Sequence, residues 1–249
     1  MLLLLLLKPY TMKRFALLIV LAVYLSPKVQ AQNDGLLGAV AGLAAIGGAI
    51  VAVEQMKEQA ELKATEYVLN AYPEMTSFSL KTLDFDGKKG KDMASASLIT
   101  YKIQEFALAE KPELDGEKFV LFGFTSYGWV NEYGVDFSKV RWFMIDTPEW
   151  LNMMTAYVKT ASSEQDDPNI RAILKSGKIV NRGVKEGSKT VIPFYKMNGD
   201  MYTIRDYNDA MKFVYNERSL GIYLKETHNL IQIGRDDIIE IHEFFFGEE

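Results

Sequence analysis

The chain has 249 residues, 48% hydrophobic and 24% charged, the proportions of a globular protein rather than a disordered or fibrous one. It has no cysteine, which excludes disulfides, thiolate metal sites and a cysteine nucleophile. Four of the 28 basic residues (Lys8, Lys13, Arg14 and Lys28) fall in an N-terminal leader; the other 24 face 33 acidic residues, and a net charge of −9 makes nucleic acid a poor partner.

Met1 to Leu7 is a leucine run that stops at Lys8-Pro9. A better export pattern starts at Met12, the expected true start: basic Lys13-Arg14, an apolar run from Phe15 to Leu25, and Val29-Gln30-Ala31 before Gln32. Short side chains three and one residues before a polar segment fit a secretory cleavage site, so residues 1–31 are read as a signal peptide. This leader resembles those of exported proteins of Gram-negative bacteria, in particular leaders ending in Ala-Gln. The resemblance implies a periplasmic or envelope location. The competing topology leaves the leader uncleaved, pairs it with the next apolar segment as a membrane hairpin, and returns the remainder to the cytoplasm.

Gly35 to Val53 carries no polar side chain. As a helix it would be about 28 Å long, close to a hydrocarbon core. Its five glycines cost helix propensity, about 1 kcal/mol each against alanine. Spacing of four recurs in Gly38 and Gly42, in Ala45 and Ala49, and in Ala44 and Gly48. Rows of small residues let a second helix approach closely, so Gly38, Gly42, Ala45, Gly48 and Ala49 are the candidate helix-packing positions, in a membrane or against a second copy. A flexible tether is the alternative. From Val53, apolar positions Met56, Ala60, Ala64, Tyr67 and Ala71 follow helical spacing as far as Asn70 and Pro73. Residues 32–73 therefore read as a hydrophobic helix running into an amphipathic one, an anchor with a stalk or docking helix.

Beyond Pro73 the period changes to two. Strands are predicted over Ser77–Phe85, with an apolar phase slip between Leu80 and Leu83, and over Met93–Phe106, Lys118–Ser126 and Val140–Ile145. Thr147-Pro148-Glu149 starts a helix with threonine as cap, and Asp167-Pro168 starts a second that stops before Gly177. Asn198-Gly199 predicts a hairpin between Lys189–Tyr195 and Met201–Arg205. Asn208–Tyr215 fits helix or strand. A hairpin is predicted around His228-Asn229, and Ile238–Phe246 reads as a last strand. Residues 74–249 are thus an α+β domain with a mainly antiparallel sheet and two or three helices.

No motif commits the chain to a chemistry. The loop Asp84–Asp92 lacks the glycine of a phosphate loop and the ligand order of an EF-hand. His228 and His242, with Asp236, Asp237 and Glu240, lack metal-ligand spacing and read as surface histidines; no metal or other cofactor is expected. Tyr127, Trp129, Asn131 and Tyr133 sit in a Gly-rich, polar stretch and form the candidate partner-binding loop, because flat exposed rings suit a peptide or glycan surface. The leading expectation is an exported envelope protein that binds a membrane or protein partner or associates with itself through residues 35–53. The alternative is an exported enzyme using Glu132, Asp136 and Asp146 on a glycan or peptide.

Overall fold

The computed structural model describes residues 46–85, 96–131, 134–198, 201–217 and 219–247. Among them are four helices and antiparallel sheets, an α+β fold. The first sheet runs in the order β1 (Phe78–Phe85), β2 (Leu98–Glu105), β3 (Lys118–Phe124) and β6 (Arg141–Asp146), all antiparallel. Successive side chains point to opposite faces of a strand. Ile99, Tyr101, Ile103 and Leu121 therefore share one face and Leu98, Val120, Phe122 and Ile145 the other.

Helix α1 (Ile46–Ala71) covers the first of these faces. Met56, Ala60, Ala64 and Val68, four residues apart, are all buried. The two alanines bring the helix backbone close to the sheet. Tyr67 then stacks on Trp142 at 6.0 Å. Trp142 lies directly opposite Gly123, where an added Cβ would come within 2.5 Å of the indole. The amphipathic helix is thus part of a core rather than a free stalk. Among the described residues no helix is long and apolar enough to cross a membrane. The phase slip in β1 is a bulge: Thr82 pairs with Tyr101 and Asp84 with Thr100, so Leu83 is extra and turns to the opposite face.

That opposite face forms the larger core with the second sheet, β10 (Thr203–Asp206), β11 (Met211–Tyr215), β12 (Ser219–Leu224) and β13 (Asn229–Gly234), and with three helices. Helix α2 (Thr147–Ala161) buries Trp150, Met154, Tyr157 and Val158. Its cap is Asp146 rather than the expected Thr147: the Asp146 carboxylate accepts the Glu149 N–H at 2.7 Å. The strand delivers Asp146 in extended backbone, the conformation a cap needs, and Thr147 is already helical. Helix α3 (Asp167–Ser176) stops at Gly177, as its sequence predicts. A small sheet of β7 (Lys178–Val180), β8 (Gly183–Glu186) and β9 (Lys189–Pro193) follows it.

Two expectations are corrected. The Asn198-Gly199 hairpin does not form between its flanking strands, because β9 pairs with β8 and β10 with β11 in separate sheets. The backbone between them spends its donors elsewhere: Phe194 N–H on Arg182 O, Tyr195 N–H on Ala161 O, Met197 N–H on Glu217. Gly199 itself lies outside the described residues. The last segment is helix α4 (Arg235–Phe246), not a strand. Its buried positions are Ile238, Ile241, His242 and Phe245, one face of a helix, and Asp236 and Asp237 in the first turn suit the positive end of its dipole. Asn208–Tyr215 resolves into a turn and β11. The hairpin at His228-Asn229 forms, with His228 in the left-handed region at φ 57°.

Candidate functional site

The strands of the second sheet place Phe213, Tyr215, Leu220, Ile222, Ile231 and Ile233 in the core. Period two then sends Ile204, Val214, Tyr223 and Leu230 to the other side. Among the described residues no helix or sheet packs over that side. Ile204 and Leu230 of the sheet are 54% and 48% exposed, and Met201 and Tyr202, just before β10, are 61% and 62% exposed. They line a shallow groove of about 880 Å³ with Met197, Val214 and Tyr223. Gly221 sits at its floor between Val214 and Gln232. A Cβ there would lie 3.0 Å from Val214 and 3.1 Å from Leu230, so the missing side chain lets these two close over the backbone.

The rim is polar and paired. Asp206 accepts Lys225 at 2.8 Å and lies 3.6 Å from Lys212. The hydrogen bond from Lys225, and then the Lys212 charge, hold the Asp206 carboxyl below the usual carboxylate range. The Tyr223 hydroxyl is 2.9 Å from His228 Nδ1. The groove offers apolar area with few directional groups among the described residues.

The expected partner-binding loop is only partly at the surface. Tyr127 is 82% exposed. Trp129 is a core residue at 1% exposure, which corrects the reading of its ring as partner-facing. The turn from Ser126, with Gly128 at φ 77°, reverses the chain, and Trp129 N–H bonds Ser126 O at 3.1 Å. The ring then swings under the loop against Phe85, and its Nε1 has no hydrogen-bond partner. Asn131 lies in β4 (Val130–Asn131), which pairs with β5 (Gly134–Val135). Tyr133, and Glu132 of the enzyme alternative, lie outside the described residues. Gly38, Gly42 and Ala45 do so too, while Gly48 and Ala49 belong to the first turn of α1.

Of the acidic residues of the enzyme alternative, the two described, Asp136 and Asp146, each cap a helical turn. Asp136 accepts the Ser138 N–H and hydroxyl at 3.1 and 2.5 Å, which lowers its pKa, and caps the short turn Phe137–Lys139. Asp146 caps α2. The histidines separate. His228 sits on the hairpin beside Tyr223, and His242 is buried in α4, not at the surface as expected. Trp150 Nε1–H donates to His242 Nδ1 at 3.3 Å, and His242 Nε2–H donates to Leu174 O at 2.9 Å. Glu240 turns to Lys102 at 2.6 Å. Among the described residues no three histidines or carboxylates are placed to hold a metal ion.

Asp237 lines a second, polar cleft of about 280 Å³ with Asp84, Ser97 and Thr100. Burial raises its pKa, with further upward pushes from Asp84, Glu240 and Asp236. The sequence carried a signal for the larger groove: strands with an apolar core phase have apolar residues, Val214 and Tyr223, on the other phase as well. Period-two reading assigns that second phase to solvent and passes over it.

Compared with known proteins, the chain matches no family model, no curated protein and no solved structure.

Proposed function

We propose that the protein is an exported cell-envelope module that binds a protein partner through the open face of its second sheet. The observation that carries this reading is the contrast between the sheets. The first is covered on both faces, whereas Ile204 and Leu230 stand exposed on the second, with Met201 and Tyr202 of the segment before β10 exposed beside them. A contiguous apolar patch with a polar rim is the common mark of a protein interaction site. Two tyrosines in it supply area at low conformational cost. Export rests on Lys13-Arg14, the run Phe15–Leu25 and Val29-Gln30-Ala31. In the same reading, Gly38, Gly42, Ala45, Gly48 and Ala49 give close helix packing, which holds the module at a membrane or beside a second copy.

The test is cross-linking in intact cells, comparing the parent with Ile204→Asp/Leu230→Asp. Both positions are exposed, so the pair is expected to keep the parental melting temperature and lose the cross-linked species. An unchanged species would remove the open face from the proposal. N-terminal sequencing, expected to begin at Gln32, tests export separately. Gly38→Leu/Gly42→Leu is expected to retain membrane association while weakening any self-association.

A further inference from the structure

We infer that helix α4 is an acid-released latch, held shut by the neutral ring of His242 between Trp150 of α2 and Leu174 of α3. The ring is 2% exposed and both its nitrogens are committed. An indole N–H only donates, so the 3.3 Å contact requires an unprotonated Nδ1. Nε2 then carries the hydrogen and donates to Leu174 O at 2.9 Å. A proton on Nδ1 would set two N–H groups against each other and leave a charge among Trp150, Phe245 and Phe246, whose ring is 5.0 Å from the imidazole.

Among the described residues no carboxylate stands ready to receive that charge. On α4, Glu240 is paired with Lys102, Glu243 is exposed, and Asp236 and Asp237 lie at the far end. On α2, Glu149 binds the Tyr207 hydroxyl and Asn152. Lys175 of α3 and Lys178 of β7 are exposed cations, and Lys118 of β3 lies over Phe244. Burial therefore decides, and pushes the His242 pKa down to about 4 against a smaller upward pull from the backbone at Leu174 and Gly177.

The sign follows from linkage. The folded value lies below the unfolded value of 6.5, so the unfolded or open state binds more protons between them. The latch is fully closed above 6.5 and loses stability as pH falls towards 4, by roughly two orders of magnitude in the closed-to-open ratio. Release is confined to the turns around His242. At the other end, Arg235 donates to the carbonyls of Asn181, Asn216 and Glu217 and keeps its charge at every relevant pH. Protonation of Asp237 relieves repulsion in that first turn and works in the opposite sense.

The test is amide hydrogen exchange of α4 on the full chain between pH 7 and 4, corrected for the intrinsic rate, with NMR titration of the His242 ring. His242 is expected to stay neutral to below pH 5, while protection of residues 238–246 falls by about a hundredfold. His242→Gln cannot titrate and is expected to flatten that fall. Trp150→Phe removes the opposing N–H and leaves the ring buried, so the fall is expected to persist, and its loss would overturn burial of the ring as the cause. A His242 ring titrating near 6.5 with α4 protection unchanged overturns the latch, and so does a parental protection profile in His242→Gln. If His242→Gln does not fold, the parent titration and Trp150→Phe decide.

Discussion

Trp129 shows how a single residue departs from its local setting. Glycines and polar neighbours surround it in sequence, yet its ring is covered by residues from β1 and the segment before β6. Replacing it with alanine is expected to cost about 3–5 kcal/mol in a urea melt, the usual penalty for truncating a core tryptophan. A loss under 1 kcal/mol would return the ring to the surface. Gly123→Ala is the opposite experiment. Its Cβ would meet the Trp142 ring, which is itself pinned by Tyr67, so overpacking of about 1–3 kcal/mol is expected. Tyr127, by contrast, is as exposed as its neighbours imply. The difference between Tyr127 and Trp129 arises from a turn whose outcome depends on side chains forty residues away in sequence, and no local pattern encodes that.

At the scale of elements, legibility followed the strength of the period. The bulge in β1 was visible as a phase slip and the turn at His228-Asn229 as a turn pair, because both are consequences of neighbouring residues. Helix α4 was not, since Ile238, Glu240, His242, Phe244 and Phe246 alternate well enough to imitate a strand; burial of Ile241 and Phe245 settles the period as helical. The open groove was illegible for a related reason: its residues come from strands that are each convincing without it. Helix α1 is where the sequence boundary near Pro73 meets the packing. Met56 and Val68 are fully buried side chains, worth at least about 3 kcal/mol together. A chain that starts after Pro73 leaves Ile99, Tyr101, Ile103 and Leu121 uncovered. Such a truncation is expected to bind an apolar dye and to melt without a sharp transition, whereas a cooperative melt at the parental temperature would make α1 dispensable.

For the whole molecule, the first sheet is a shared wall between two cores, and acid reaches the assembly through two separate windows. The His242 contribution is lost between pH 6.5 and about 4. Asp136, Glu164, Asp167 and Asp206 are held below their ordinary values by hydrogen bonds from Ser138, from the Asp166 and Gln165 backbone, from Lys159 and from Lys225 respectively. Their contributions are present above the unfolded carboxylate values near 4 and are lost only below them. Asp167 and Asp206 are exposed and paired with lysines, so salt is expected to shrink their share of the lower window and leave the upper one unchanged. Thermal melts at low and high salt across pH 7 to 3 would check this, and an upper window that shrinks with salt would contradict it.

The extra residue in β1 has a consequence beyond its own strand. β1 is an outer strand of the first sheet, and among the described residues one long edge of its backbone faces no partner in that sheet. Such edges recruit strands from other molecules. Leu83 breaks the strand into two stretches whose side-chain phases differ by one residue, Phe78 to Thr82 and Asp84 to Phe85. A straight newcomer that matched the first stretch would meet the second with its faces inverted. Only a few residues could pair in step, too short a ladder to hold. The same kink that sends one leucine into the larger core therefore makes the exposed edge a poor template, and removing Leu83 would straighten it into a better one.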